Sequence, residues 1–297
     1  MSFARALFCL SLALSAPAWA DGTCPPEGTD AASLQLLKQQ KFVVEDAATR
    51  DALALGLLAC LSSPDPELRD GIAFEALTAW LRGKQLSAEA RRALRTRLYA
   101  LLQGEDAAGF QRPFAALVLS EVARTDRIEP WMSPQERDAM VTRAADYVAS
   151  VRDYRGFDNA PGWRHGVAHG SDWLMQLALN PALDRAQADR ILAAVASQTV
   201  PESGHAYVFG EAGRLARPVL YVAQRGLLTS DEWINWFGAL PPRLGDPAKA
   251  YADVAWLARR HDLLAFLTAI HLEAVESKDA QIQGLRVPAV MALKAVP

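Results

Sequence analysis

The chain has 297 residues, of which 51% are hydrophobic and 22% charged. This balance is typical of a globular protein with a sizeable core, and it excludes a disordered chain, a collagen-like fibre and a small domain built on disulfides. With 31 Lys and Arg against 34 Asp and Glu, the formal net charge is −3. Because contact with phosphates requires clustered excess basic residues, the composition argues against a nucleic-acid partner.

The first twenty residues have the pattern of a secretory signal peptide. One arginine precedes an apolar stretch over residues 6–16, which is too short to span a bilayer core of ~30 Å. Small residues follow it and suit cleavage before Asp21. The sequence therefore predicts export to the bacterial envelope, as a periplasmic or secreted protein. No later apolar run is long enough to anchor the mature chain, so we expect it to be soluble.

Export changes the interpretation of the three cysteines. Cys9 would leave with the signal, whereas Cys24 and Cys60 would remain in an oxidising compartment, where a disulfide persists. The pair favours one bridge between an N-terminal arm, residues 21–45, and an early helix. The alternative is that Cys60 is a small buried hydrophobic residue, and the sequence does not give the Cα separation that decides between them.

Apolar residues recur at three- and four-residue spacing after the arm, whereas period-two alternation is almost absent. The pattern predicts an all-α chain with N-terminal helix caps at Ser87, Ser133, Asp184 and Ser230. The predicted helices are 46–61, 66–82, 87–103, 111–125, 134–151, 164–179, 184–198, 213–226, 229–238 and 248–275. We expect a Gly-bounded loop with room for a short hairpin at 200–213 and a tail at 280–297.

An arginine stands at the head of every second predicted helix, which indicates an internal repeat. These arginines are separated by 43, 52, 53 and 43 residues, and they are Arg69, Arg112, Arg164, Arg217 and Arg260. Helical hairpins of the HEAT or armadillo type have repeats of about 40–47 residues. The spacing predicts a stack of helical hairpins over 46–279, a HEAT- or armadillo-like α-solenoid. An α/α toroid and an irregular helical domain are the alternatives.

The third repeat carries polar residues where the others do not. Five positions after its arginine it has His169, whereas the other four repeats have apolar residues there. His165, His169 and Asp172 stand at i, i+4 and i+7 of the predicted helix, so they share one face.

Three interpretations of this stripe compete. It can be a metal site for zinc or another divalent ion, with two imidazoles and one carboxylate as ligands, although the glutamate of the H-E-x-x-H motif is absent. It can be an acid–base site in which Asp172 tunes a histidine and Trp163 and Arg164 hold the ligand. It can also be a buried polar ladder with no role beyond packing, which is the common fate of such groups.

Other candidate ligand-binding residues are fewer and more scattered. Glu75 stands in an apolar helix face and can approach the stripe from a neighbouring repeat. His205 and Tyr207, with Glu211 and Arg214, fall in or beside the Gly-bounded loop, where binding groups concentrate. A solvated loop is the alternative for this second group.

Three stretches of the chain are distinctive: LRDGIAFEALTAWL, GFQRPFAALVLSEVARTDRIEPWMS and GWRHGVAHGSDWLMQLA. They resemble an uncharacterised bacterial family, a domain of unknown function numbered 2785, over about residues 65–273. The most specific part is a Trp-x-His-x-x-x-His-x-x-Asp string, matched by Trp163, His165, His169 and Asp172. That family has no assigned activity, so the resemblance implies a helical fold and a functional site at the histidines, without catalytic roles.

These observations support two hypotheses about function. The first is a binding or scaffold protein that uses the concave face of the stack for an unidentified protein or small molecule, without a cofactor. The second is an envelope hydrolase or lyase with His165, His169 and Asp172 as metal ligands or acid–base groups.

Overall fold

The computed structural model describes residues 22–297, so the predicted signal peptide lies outside the described residues. The prediction of an all-α chain is confirmed. The helices are α1 (Ala31–Gln39), α2 (Ala47–Gly56), α3 (Glu75–Arg82), α4 (Ala88–Gln103), α5 (Gln111–Ile128), α6 (Pro134–Ser150), α7 (Gly166–Ala178), α8 (Arg185–Thr199), α9 (Glu211–Gln224), α10 (Ser230–Gly238), α11 (Val254–Glu276), α12 (Ala280–Gln283) and α13 (Arg286–Ala295). No helix in this part of the chain is long and apolar enough to cross a membrane.

Shorter helical turns complete the described chain. Three 3₁₀ turns span Leu57–Ser62, Pro241–Leu244 and Pro247–Lys249. A π-helical segment, Glu67–Phe74, runs directly into α3. π-helical turns are rare and often mark functional sites.

Helix caps are largely those that the sequence predicts. Ser87, Ser133 and Asp184 each accept a hydrogen bond from a backbone N–H in the first turn of α4, α6 and α8. At α10 the prediction is wrong by one residue, because Thr229 is the cap and its side chain accepts from the N–H of Glu232.

Regular structure also appears where it was not predicted. The short hairpin joins β1 (Phe157–Asp158) to β2 (Gly162–Trp163), whereas 200–213 contains no strand. Asp158 accepts from the N–H of Ala160, and Gly162 adopts φ 74°, so the turn chemistry lies here. At the end of the chain, where we expected a tail, α13 packs on α10 and α11. Because α13 is short, its apolar periodicity is difficult to recognise in the sequence.

Alternate helices form a row, which we call the odd row: α3, α5, α7, α9 and α11. Each helix packs on the next one in the row, from α3 to α11. The starts of α5, α7 and α9 lie on one side. Arg164, just before α7, covers Phe110, just before α5, and Glu211 at the start of α9 approaches His165. The odd row therefore brings the heads of successive helices together.

The disulfide links the N-terminal arm to the end of the α2 region. Cys24 and Cys60 are bonded, with their Cα atoms 4.9 Å apart. Cys60 is also fully buried, so it is both a bridging residue and part of the core.

Candidate functional site

His165 sets the geometry at the start of α7. It occupies the N-cap with φ 60° and ψ 40°, the left-handed region that non-glycine residues rarely adopt. Its N–H donates to the carbonyl of Arg155 at 3.1 Å, and its own carbonyl accepts the N–H of His169 at 3.0 Å. These backbone bonds hold the strained residue in place. Its imidazole lies beside Glu211, at the start of α9.

The imidazole of His165 lies between an aromatic ring and a carboxylate. Trp163 stacks on it with ring centroids 4.7 Å apart, and Trp163 itself is 37% exposed. Glu211 Oε1 lies 3.5 Å from His165 Nε2, longer than an ordinary hydrogen bond. Among residues 22–297, the buried Nε2 atom has no hydrogen-bond partner.

Glu211 is an ionised carboxylate at the first turn of α9. Burial raises its pKa, but the interaction with His165 and backbone N–H groups, including that of Phe209 at 2.9 Å, outweighs burial and leaves the pKa below its ordinary value. A negative charge at a helix N-terminus is also favoured by the helix dipole. The carboxylate is therefore held in place beside His165.

His169 is a neutral, buried imidazole one turn further along α7. Its ring centroid lies 5.7 Å from that of His165 and 5.1 Å from that of Phe114. Burial, the neighbouring His165 and the charge of Arg214 lower its pKa to about 3, against a smaller opposing contact with the carbonyl of Pro113. In the described part of the chain its Nδ1 atom is buried without a hydrogen-bond partner. We call Trp163, His165, His169 and Glu211 the histidine cluster.

Asp172 shares the helix face of the histidines, as predicted, but its carboxylate contacts arginines rather than the histidines. It forms an ion pair with Arg214, and Arg217 Nη1 lies 3.9 Å from its Oδ1. Burial raises the pKa of Asp172, and the two arginines oppose that effect. Within residues 22–297, no three His, Cys, Asp or Glu side chains converge in a way that would hold a metal ion.

A buried cation, Arg69, closes the far side of the cluster from the π-helical segment. Its guanidinium lies over Phe110 at 4.2 Å and Phe114 at 4.9 Å, and it donates to the carbonyl of Pro161 at 2.7 Å. Arg164 covers the other part of Phe110 at 4.4 Å and donates to the carbonyl of Ala108 at 2.8 Å. Both arginines therefore brace the start of α5.

The loop before α9 is tied to its surroundings by polar groups. Tyr207 donates its N–H to Asp262 Oδ1 at 2.7 Å and its hydroxyl to Gln198 at 3.2 Å. Burial raises the pKa of Asp262 to about 7, and the charge of Glu211 adds to the rise. His205 stacks on Tyr154 with centroids 5.7 Å apart.

A narrow crevice, too tight to hold a water molecule, lies beside this loop. It is lined by Tyr154, Arg155, His165, Gly166, Val167, Tyr207 and Glu211. Three residues singled out from the sequence, His165, Tyr207 and Glu211, thus meet in one place. Glu75 does not join them: it is exposed at the start of α3, near Lys38, and no contact with the stripe is found in the described residues.

Sequence reasoning missed Tyr154, Arg155 and Asp262. Asp262 had a visible signal, because a carboxylate in the apolar stretch of α11 must find a buried partner. Tyr154 and Arg155 had none, since they follow α6 in an irregular segment.

Comparison with known proteins identifies a family without a function. A family model described as "Protein of unknown function (DUF2785)" matches residues 98–272, more than half of the chain. The matched range contains the histidine cluster and the arginines that face Asp172, but not Arg69. No curated protein matches, and no solved structure matches.

Proposed function

The chain belongs to the family described as protein of unknown function DUF2785, and we propose that it is an exported ligand-binding protein whose site is the histidine cluster. The proposal rests on one observation. His165 Nε2 and His169 Nδ1 are buried and, among the described residues, have no hydrogen-bond partner. His165 Nε2 has only its long contact with Glu211 at 3.5 Å. Leaving a buried group such as His169 Nδ1 unpaired costs about 1–3 kcal/mol, which a ligand with complementary groups would recover.

Access to the cluster sets the form of the ligand. The crevice beside His165 has no room for a water molecule, so it does not enclose a small molecule as an ordinary ligand pocket does. The ligand therefore reaches His165 only where side chains of the crevice move apart, and it does so with a small polar end group. The rest of it lies outside, against the exposed ring of Trp163.

Architecture and export complete the proposal. The odd row, with its helix starts on one side, is the arrangement expected of stacked HEAT-like hairpins, and its open face would be concave. An α/α toroid is the alternative arrangement. The signal-peptide pattern before Asp21 and the bonded pair Cys24 and Cys60 support a periplasmic or secreted location.

The test is a binding screen with a variant that keeps the fold. Thermal shift and calorimetry would be run with a panel of small carboxylates, amines, amino acids and sugars. We expect at least one class to bind the wild type and to bind His165→Asn at least tenfold more weakly, whereas His261→Gln, an exposed histidine of α11, binds like the wild type. Equal binding to the His165→Asn variant, or no binding by any class, contradicts the proposal.

A second candidate, an acid–base enzyme of the hydrolase or lyase class, is favoured by the ionised Glu211 at 3.5 Å from His165. A carboxylate so placed orients an imidazole and stabilises its protonated form. With ester, amide and glycoside substrates, Glu211→Gln would lower kcat by about 10²–10⁴-fold. Absence of turnover across all three substrate classes would rule out this candidate and leave the binding proposal standing.

A further inference from the structure

Arginines collect along the odd row, next to the histidine cluster at Arg214 and beyond it at the others. We call five of them the arginine strip: Arg82 of α3, Arg124 and Arg127 of α5, and Arg214 and Arg217 of α9. The strip is continuous across α7, because Arg127 donates to Gln176 Oε1 at 3.2 Å and Arg217 approaches Asp172.

The strip holds more positive charge than its carboxylates neutralise. Within residues 22–297 two carboxylates form ion pairs with it, Glu121 and Asp172, and both are buried. Burial and the neighbouring charge of Arg124 lower the pKa of Arg127. A chain with a net charge of −3 therefore concentrates cations here, at a cost in mutual repulsion.

The buried carboxylates of Glu121 and Asp172 hold the guanidiniums of Arg82 and Arg214 in place without covering them. Arg82 donates from Nε and Nη2 to the two oxygens of Glu121, at 2.8 and 2.5 Å. About half of the side chain remains exposed both in Arg82, 54%, and in Arg217, 51%. The guanidinium edges that these carboxylates leave free are suited to further carboxylates, which arginine binds through paired hydrogen bonds.

We propose that the arginine strip binds an acidic peptide segment of a partner protein. Neighbouring packed helices lie about 8–10 Å apart, so α5, α7 and α9 present roughly 20 Å, the span of about six extended residues. Carboxylates are the occupants because the strip already pairs with two of them. This inference is independent of the ligand proposed for the histidine cluster.

The experiment measures fluorescence anisotropy of a labelled hexaglutamate peptide against the full described chain. We expect Arg124→Gln/Arg127→Gln to weaken binding at least tenfold. The matched control, Arg92→Gln/Arg286→Gln, removes the same charge from two exposed arginines outside the strip and should change affinity less than twofold. Raising the salt concentration from 50 to about 500 mM should weaken the wild-type complex, because exposed charges are screened.

Three results would overturn the inference. They are an equal loss in the control variant, no binding of hexaglutamate to the wild type at millimolar concentration, and equal or tighter binding of a single-stranded oligonucleotide of the same charge. The His165→Asn variant separates the two proposals. It should bind hexaglutamate like the wild type, whatever its effect on the ligand of the histidine cluster.

Discussion

His165 begins α7 with a left-handed backbone, and its ring contacts both Trp163 and Glu211. A left-handed conformation costs a non-glycine residue about 1–2 kcal/mol. The same residue leaves Nε2 without a hydrogen bond within residues 22–297. A glycine would avoid both features, so their coincidence at one buried residue is what motivates the proposal of a ligand here.

Alanine usually destabilises a helix less than glycine does. The backbone strain at His165 predicts the reverse order. His165→Gly should be more stable than His165→Ala by about 1 kcal/mol, because only glycine adopts φ 60° without strain. Urea unfolding of the two variants at pH 7 measures the difference. A variant with alanine that matched or exceeded the glycine variant would show that the backbone relaxes.

His169 predicts an acid-sensitive step in stability. Its pKa is about 3 in the folded protein and 6.5 in a free side chain, so unfolding takes up a proton between these values. The contribution is fully present above pH 6.5 and is lost as the pH falls toward 3, at up to about 1.4 kcal/mol per pH unit. His169→Gln does not titrate, so its free energy of unfolding should fall less steeply from pH 6.5 to 4. Parallel pH profiles in denaturant unfolding would contradict this.

At the scale of elements, the loop before α9 is fastened to α11 by Asp262. Its Oδ1 accepts the N–H of Tyr207, and its Oδ2 is buried with no partner among the residues described. A charged carboxylate there would face Glu211 as well. Burial and Glu211 therefore favour the protonated form of Asp262. We expect its contact with the loop to be most stable at acid pH.

The free energy of unfolding of Asp262→Asn, relative to that of the wild type, should therefore increase as the pH rises. The folded pKa of about 7 lies above the ordinary 3.8, so the native state holds an extra proton between these values and wild-type stability declines through that window. Asparagine keeps an acceptor for Tyr207 and does not titrate. We expect its advantage in free energy of unfolding to be larger at pH 8 than at pH 4, by at least about 1 kcal/mol. A constant difference would show that the carboxyl does not titrate in this range.

Helix α10 offers a test of a cap that differs by one residue from the sequence expectation. Thr229 caps the helix by accepting the N–H of Glu232, and the Glu232 side chain accepts the Thr229 N–H at 2.7 Å, which closes a capping box. Thr229→Ala should cost about 1 kcal/mol, and Ser230→Ala only a few tenths. Thermal unfolding distinguishes them. If Ser230→Ala is the more damaging, the cap assignment is wrong.

Across the whole molecule, the features that could be predicted from the sequence are those set by residues close together in the chain. Helix periods, caps at Ser87 and Ser133, and the shared face of His165 and His169 were predicted, because each depends on residues within one or two turns. The partner of Asp172 was not, since Arg214 lies 42 residues away and is fixed only by packing of α9 on α7. The arginine heads predicted a repeat, yet their contacts differ from one helix to the next.

The disulfide connects the first described residues to the rest of the fold, and it links stability to the compartment. Cys24 and Cys60 are separated by 36 residues, and closing a loop of that size is worth about 2–4 kcal/mol through restriction of the unfolded chain. Reduction of the wild type should therefore lower Tm, whereas Cys24→Ala/Cys60→Ala should start lower and not respond to reductant. A wild-type Tm that is unchanged by reduction would show that the arm adds nothing to global stability. The expected loss would instead mean that the protein reaches full stability only after export to an oxidising compartment, as its N-terminal sequence predicts.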